Sequence, residues 1–191
     1  SETLRPRMQA VMTPWMNEGF FADVAVMVEG EGDRAALLAA GSALGYDFES
    51  MGICVIPCMG INNIDRPTLV FRELGIKTYL VWDNDSEADE LKPEDNKRLL
   101  RLLGATEEDW PTGVWDTHAC FDKKLEATLV NEITPKIFDY YLDKAKDEFR
   151  LTRVRALKNP FALRYIIERC YSEGHHSSTL DSIVEKIWSL R

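Results

Sequence analysis

Short, uniformly apolar segments alternate with helix-like stretches in the first half of the chain. The apolar segments occupy residues 24–28, 53–56 and 78–82. None alternates between apolar and polar positions, which is typical of strands buried on both faces of a parallel sheet. Between them, residues 33–44 and 64–74 have helical periodicity and end near Gly45 and Gly75. This β-α-β-α-β order predicts an α/β fold with a doubly wound parallel sheet.

The second half of the chain is predicted to be mainly helical. An acidic loop over 86–95 leads into a helix at 96–103, and residues 113–119 form either a short strand or an extended loop. The remaining helices are predicted near 121–130, 134–149, 159–173 and 179–190.

These elements predict one main domain. Residues 1–21 are expected to form an amphipathic amino-terminal helical arm, interrupted by Pro6 and Pro14. The rest, 22–191, reads as a single domain in which 96–150 is a largely helical elaboration. Because the sequence begins with Ser1, we expect a processed product or a piece of a longer protein.

Composition narrows the class of protein. The chain has 191 residues, of which 45% are hydrophobic and 29% charged, so an intrinsically disordered chain is excluded. No apolar run approaches the roughly 20 residues of a membrane helix, and no secretory leader is evident. The formal net charge of −9 is unusual for a nucleic-acid binder, since basic patches are the usual electrostatic footprint.

Cysteine and histidine usage bears on compartment and metal chemistry. The spacing of Cys54, Cys58, Cys120 and Cys170 fits neither a zinc site nor a disulfide scaffold, so we expect buried free thiols in a cytoplasmic protein. His118 stands alone among the three histidines, which argues against a zinc hydrolase. Any metal would then be held by carboxylates, which favours a hard ion such as Mg²⁺, Mn²⁺ or Ca²⁺.

Acidic side chains follow the first and third predicted strands. Glu29 and Asp33 come after the first strand, and Asp83 and Asp85 after the third. Parallel sheets place their ligand sites at the carboxyl ends of the strands, so these four should share one edge. Converging carboxylates repel one another unless cations or protons neutralise them. Alternatively they are ordinary loop acids, with Asp33 an N-cap of the following helix.

The segments at the ends of the three predicted strands resemble, in their order and spacing, those of the Toprim domain. The resemblance is greatest to the Toprim domain of the overcoming-lysogenization-defect (OLD) family of nucleases. The matching segments are 28–34 (Val-Glu-Gly-Glu-Gly-Asp-Arg), 55–63 (Val-Ile-Pro-Cys-Met-Gly-Ile-Asn-Asn) and 79–85 (Tyr-Leu-Val-Trp-Asp-Asn-Asp). The resemblance covers about 22–86. It continues more loosely through 121–126 (Phe-Asp-Lys-Lys-Leu-Glu) and 157–160 (Leu-Lys-Asn-Pro).

The resemblance implies a metal-dependent DNA endonuclease that nicks or cleaves duplex DNA by two-metal phosphodiester hydrolysis. Mg²⁺ or Mn²⁺ would be the working ions, and Ca²⁺ would occupy the site without supporting activity. The implied metal ligands are Glu29, Asp33, Asp83, Asp85 and Glu126, with Glu29 shared between the ions. If the chain stays extended, Asp83 and Asp85 can point at the same ion.

The implied catalytic residues are Glu29, Asp83, Asp85 and Lys158, with Lys158 placed near the scissile phosphate. A lysine there would stabilise the charge that builds on the phosphate in the transition state. Two of the assignments have simpler alternatives. Glu126 could be a solvent-facing helix residue, and Lys158 a solvated lysine beside Arg153 and Arg155.

The resemblance also implies partners. OLD nucleases carry an amino-terminal ABC-type ATPase domain, whose Gly-x-x-x-x-Gly-Lys-Ser/Thr loop is missing from this sequence. We therefore expect the carboxyl-terminal nuclease region of a larger protein, cytoplasmic, with DNA as substrate, a homodimer in its full-length form and a role in phage defence. Basic residues that could form a DNA track are Lys144, Lys146, Arg150, Arg153, Arg155, Lys158 and Arg164.

Three other functions compete with a nuclease. A non-catalytic Toprim module for assembly on DNA is the main alternative, although the full acidic set argues against it. A haloacid-dehalogenase phosphatase would have Asp-x-Asp at the end of its first strand, with Thr or Val two positions after the second Asp. Here the motif ends the third strand, and Glu87 occupies that position. A receiver-like signalling domain fits the long helical second half poorly.

Overall fold

The computed structural model describes residues 14–191, so most of the predicted arm (1–13) lies outside the described residues. The strands are β1 (Val24–Val28), β2 (Ile53–Pro57), β3 (Lys77–Asp83), β4 (Gly113–Val114) and β5 (His118–Phe121). The helices are α1 (Pro14–Gly19), α2 (Glu31–Ala43), α3 (Asp65–Glu73), α4 (Pro93–Leu103), α5 (Leu125–Glu132), α6 (Pro135–Glu148), α7 (Arg153–Lys158), α8 (Pro160–Ser172) and α9 (Ser178–Ser189).

The strands form one mostly parallel sheet in the order β2-β1-β3-β5-β4. Neighbours among β2, β1, β3 and β5 run parallel, and β4 is antiparallel to β5. The predicted α/β fold with a doubly wound parallel sheet is confirmed, and the carboxyl ends of the four parallel strands meet at one edge.

The strongest departures from the predicted elements lie just beyond Gly113. Residues 113–121 form a hairpin of two strands rather than one short strand or a loop, and β5 is a full member of the parallel sheet. The helix predicted from residue 121 therefore begins at Leu125. The elaboration 96–150 thus contributes two strands as well as helices. Helix α7 was not predicted, because its six residues are too few to show a period.

Alternate residues of β1 enter two separate cores, which explains the absence of polar positions in that strand. Val24, Val26 and Val28 pack with the layer that contains α2, α5, α6, α8 and α9. Ala25 and Met27 face the other layer, which contains α1, α3 and α4. All five side chains are fully buried. Burial of apolar side chains on both faces is the main favourable contribution to this sheet.

The cysteines and His118 belong to the packing of the sheet and its helices. All four cysteines are free, and Cys120 and Cys170 are buried, whereas Cys54 and Cys58 are only partly so. His118 is stacked between the rings of Trp82 and Trp115, and burial lowers its pKa to about 4. No helix in the range 14–191 has the length and apolarity needed to cross a membrane.

A buried asparagine pair fixes the loop that follows β3. The Asn84 side chain is buried: its amide donates to the Pro111 carbonyl oxygen, and its Oδ1 accepts from the backbone N–H of Ser86 and Lys123. Asn96 accepts from Trp82 Nε1 at 2.9 Å and donates to the Asn84 carbonyl oxygen at 3.0 Å. The loop after β3 is thereby tied to α4 and to the loop after β5.

Replacing Asn96 with leucine should destabilise the fold, because the substitution leaves the Trp82 N–H and the carbonyls of Asn84 and Asp109 without partners. Each unsatisfied buried polar group costs about 1–3 kcal/mol, so we expect a loss of at least about 2 kcal/mol in the free energy of unfolding. Urea unfolding followed by circular dichroism measures it. The control Asn131→Ala, on the exposed side of α5, should change stability by less than about 0.5 kcal/mol. Equal losses in the two variants would contradict this role.

Candidate active site at the carboxyl ends of the strands

Three carboxylates are held at the ends of β1 and β3 by backbone N–H groups. Glu29 Oε1 accepts from the N–H of Asp83 at 2.9 Å, which links the two strand ends directly. Asp83 Oδ1 accepts from the N–H of Leu125 at 2.9 Å, at the start of α5. Asp33 Oδ2 accepts from the N–H of Gly30 at 2.8 Å. Each of the three carboxylates is thus anchored by a backbone N–H, and all three side chains line the cavity at the strand ends.

Asp33 does not cap α2 in the way that the sequence suggested. The helix begins at Glu31, so Gly30 is its N-cap residue and Asp33 lies in the first turn. Its carboxylate reaches back to the Gly30 N–H, the arrangement of the acidic partner in a capping box. A structural role for Asp33 is therefore present, and it engages one of the two carboxylate oxygens.

Electrostatics make the charged forms of these side chains unfavourable. The pKa of Glu29 is raised from 4.5 to about 8, mainly by burial and also by the charges of Asp33 and Asp85, while the Asp83 N–H and Lys124 oppose the rise. Burial likewise raises the pKa of Asp33 to about 7, with an added contribution from Glu126. The pKa of Asp83 lies well above its usual range for the same reason, with Asp33 and Glu29 as the strongest repelling charges. The cluster therefore requires protons or cations.

Asp85 does not share the direction of Asp83. The backbone of Asp85 turns into the left-handed region with φ of 54°, so the condition that the chain stays extended is wrong. Its N–H donates to the Lys123 carbonyl oxygen, and its carboxylate lies 3.6 Å from the Lys124 ammonium. Asp83 and Asp85 line two different cavities.

The two cavities adjoin each other. The first, here called the acidic cavity, has a volume of about 500 Å³. It is lined by Glu29, Gly30, Glu31, Gly32, Asp33, Met59, Gly60, Asp83, Leu125, Glu126, Leu157, Lys158, Pro160 and Leu163. The second, the side cavity, has a volume of about 350 Å³. It is lined by Asp85, Glu87, Lys123, Lys124, Glu126, Ala127, Val154, Leu157 and Lys158.

Glu126 and Lys158 stand where the two cavities meet. Glu126 lies in the first turn of α5, and its charge helps to raise the pKa of both Asp33 and Asp83. Lys158 ends α7, directly before Asn159, whose side chain caps α8 by accepting from two backbone N–H groups. Within residues 14–191, the Lys158 ammonium forms no ion pair, whereas Lys123 pairs with Glu87.

The donor chemistry of the acidic cavity suits a hard divalent cation, because it consists of carboxylate oxygens that lack neutralising partners. The described part of the chain nevertheless contains no group of three His, Cys, Asp or Glu side chains with the geometry of a metal site. A cation would have to draw the carboxylates of Glu29, Asp33 and Asp83 together.

Most of the predicted basic track is neutralised by acids or lies away from the cavities. Lys146 pairs with Asp143 and Asp147, and Arg164 with Glu168. Arg153 pairs with two acids of α6. Of the seven predicted residues, Lys144, Arg150, Arg155 and Lys158 form no ion pair within the described range. Only Lys158 of these four lines either cavity.

Gly60 is a site residue whose importance the sequence did not reveal. Its φ of 117° is a conformation that side chains rarely adopt, and its N–H donates to the Glu29 carbonyl oxygen at 2.8 Å. Gly30 has φ of −147°, and a Cβ placed there would meet nothing nearer than Asp33 Oδ2 at 3.8 Å, so the position does not require glycine. Hydrophobic patterning does not predict the φ angle of a residue that follows a strand. The glycine of the Met-Gly pair after β2 is the only sequence feature that is consistent with a positive φ here.

Substituting serine for each of these glycines should separate the two cases. Gly60→Ser forces a left-handed conformation on a residue with a Cβ, and we expect a loss of about 1–2 kcal/mol in the free energy of unfolding. Gly30→Ser places a good N-cap residue in an extended conformation, and stability should change by less than about 0.5 kcal/mol. Thermal and urea unfolding measure both. Equal stability of the two variants would refute the constraint at Gly60.

Comparison with known proteins identifies the architecture. Residues 20–85 match the family model described as overcoming lysogenization defect protein-like, TOPRIM domain. The C-terminal region of the Burkholderia pseudomallei OLD protein aligns with a TM-score of 0.63 at 21% identity, over 90% of this chain and all of that one.

A second solved structure, the C-terminal region of the Xanthomonas campestris pv. campestris OLD protein, aligns with a TM-score of 0.59 at 18% identity, over 89% of this chain and 96% of that one. No curated protein matches the sequence. Residues 20–85 therefore match a TOPRIM domain of the OLD-like type, and the chain has the fold of the C-terminal region of OLD proteins.

Proposed function

We propose that the chain is the nuclease region of a larger ATPase–nuclease and hydrolyses phosphodiester bonds in DNA with divalent cations. The observation that carries this proposal is the set of carboxylates gathered at the strand ends, where burial and repulsion raise the pKa of Glu29, Asp33 and Asp83. Such an arrangement disfavours the folded state unless a ligand neutralises it, and perturbed acids in a cleft are typical of functional sites. The TOPRIM match gives the class of chemistry.

The proposed ligands of two Mg²⁺ or Mn²⁺ ions are Glu29, Asp33, Asp83, Asp85 and Glu126. Ions bound there would activate the attacking water and neutralise the leaving oxygen. The separation of Asp83 and Asp85 into adjoining cavities supports two ion positions rather than one. Asp83 also holds the first N–H of α5, and so it fixes the position of Glu126 one residue further on.

Lys158 is proposed to act on the scissile phosphate. It lines both cavities and its ammonium lacks an ion-pair partner within residues 14–191, so it is available to an anion. A phosphate between Lys158 and the cations would be attracted from both sides, and the ammonium would stabilise the charge that builds in the transition state.

A binding-only function is the second candidate. The observation in its favour is that residues 14–191 contain no preformed group of three metal-ligating side chains. A Toprim module that assembles on DNA without cleaving it would need the fold and the cavities but not the cations. The two functions differ in one measurable respect, which is cation-dependent cleavage.

Glu29→Gln should abolish cleavage of supercoiled plasmid in Mg²⁺ or Mn²⁺. The amide keeps the acceptor for the Asp83 N–H but removes the charge, so we expect a loss of at least about a hundredfold in rate. Gel analysis of nicked and linear products measures it, with EDTA as the metal-free control.

Glu73→Gln, an exposed site at the carboxyl end of α3, should cleave like the unmodified chain. In EDTA, Glu29→Gln should unfold at an equal or higher urea concentration, because it relieves repulsion. Cleavage by Glu29→Gln at the normal rate would overturn the assignment. The absence of cation-dependent cleavage by the unmodified chain would favour the binding-only function.

Lys158→Gln should lower the turnover at saturating Mn²⁺ by about a hundredfold or more, as expected for loss of one transition-state donor. The affinity for Mn²⁺, measured by calorimetry, should change little, since the ammonium repels rather than binds the ion. Lys144→Gln removes an exposed charge that lies on α6 outside both cavities and should leave turnover unchanged. A large loss of Mn²⁺ binding with normal turnover would contradict the proposed role of Lys158.

A further inference from the structure

We propose that the side cavity binds a nucleobase of the substrate, so that the chain engages unpaired nucleotides in preference to intact duplex. This inference rests on the proposed function and names its substrate class. It is drawn from the position of the side cavity, from the apolar character of its surface and from the arrangement of charges around it.

The side cavity presents a largely apolar surface next to the acidic cavity. Its exposed lining is mainly apolar and includes Ala127, Val154 and Leu157. The Val154 side chain is 67% exposed, which is unusually high for a valine. At about 350 Å³ the cavity lies within the range of small-ligand sites, about 300–1,000 Å³. An apolar surface of this size suits the flat face of a base better than it suits a phosphate.

The charges at the rim favour a nucleotide over an uncharged apolar ligand. Lys123, Lys124 and Lys158 line the cavity together with three acids, Asp85, Glu87 and Glu126. The first two are already paired with Glu87 and Asp85, which leaves Lys158 as the cation free to meet a phosphate among the described residues of this cavity. A base in the side cavity and its phosphate at Lys158 would therefore meet complementary surfaces at the same time.

The shared wall connects base binding to cleavage. Glu126, Leu157 and Lys158 line both cavities, so a nucleotide whose base enters the side cavity has its backbone at the entrance of the acidic cavity. A base that is paired and stacked in a duplex cannot enter. Extraction costs a few kcal/mol and is least costly where the base is mismatched or already single-stranded. A preference for unpaired DNA follows.

The test compares binding of a fluorescently labelled single-stranded oligonucleotide with binding of the matched duplex, measured by anisotropy in Ca²⁺. Ala127→Phe fills the side cavity. Since contact with one base typically contributes about 1–3 kcal/mol, we expect it to weaken single-strand binding at least about fivefold. Duplex affinity and the slope of log affinity against log salt should not change, because the phosphate contacts are kept.

Three further variants keep the outcome interpretable. Ala43→Phe adds the same bulk at an exposed position at the far end of α2 and should not alter binding. If Ala127→Phe fails to fold, Val154→Ser replaces it and should weaken single-strand binding severalfold, with the exposed Val70→Ser as its control.

The results separate this inference from the proposed function. Equal affinity of the unmodified chain for single strand and duplex, or an unchanged single-strand affinity in the folded cavity variants, would overturn the nucleobase site. Loss of single-strand affinity in those variants would support it even if the chain cleaves no DNA in any cation. In that case the nucleobase site would belong to a binding module, and the nuclease proposal alone would fail.

Discussion

Burial of the carboxyl groups of Glu29, Asp33 and Asp83, together with repulsion from neighbouring acids, is the constraint on which the arrangement of this edge of the sheet depends. Burial of three like charges raises the free energy of the folded chain, and each pKa is raised accordingly. The compensation is backbone geometry, because each carboxylate receives one N–H from a neighbouring strand end or helix start. The structure thus holds the three acids in place along the wall of the acidic cavity.

That geometry in turn requires the loops to be rigid. The loop after β3 is tied to the loop after β5 through Asn84, which accepts from the Lys123 N–H, and through the Asp85 N–H, which donates to the Lys123 carbonyl oxygen. Lys123 itself adopts a positive φ of 62°. Backbone conformations of this kind persist where surrounding contacts over-determine them, and they cluster at functional sites. Here they turn Asp85 away from Asp83 and divide the acidic set between two cavities.

The sequence was informative about the sheet and its edge for a simple physical reason. A strand buried on both faces has no polar positions, so β1, β2 and β3 were recognisable, and parallel strands necessarily bring Glu29 and Asp83 to one edge. It was less informative where conformation depends on tertiary contacts. Of the four residues of β5, the first two fell in a segment that predicted either a strand or a loop, and Phe121 fell at the start of the next predicted helix. The turn at Asp85 depends on hydrogen bonds to a loop almost 40 residues away. The ion pairs of Lys146 and Arg153 with acids of α6 were also not predicted, because a cluster of basic residues in the sequence does not show which acids lie beside them in the fold.

The scarcity of free cations beside the cavities bears on how such an acidic chain could hold nucleic acid. Affinity for DNA usually depends on many lysine and arginine contacts to phosphate, and most basic side chains near the cavities are already paired. Lys158 alone cannot supply that attraction. Cations bound to the acidic cluster would add positive charge where the phosphate must lie, and apolar contact with a base in the side cavity would add affinity that salt does not screen. Under the proposed function the acidic composition and the apolar side cavity belong together. A chain that attracts phosphate weakly would then recognise a nucleotide by its base and through cations bound at the acidic cluster.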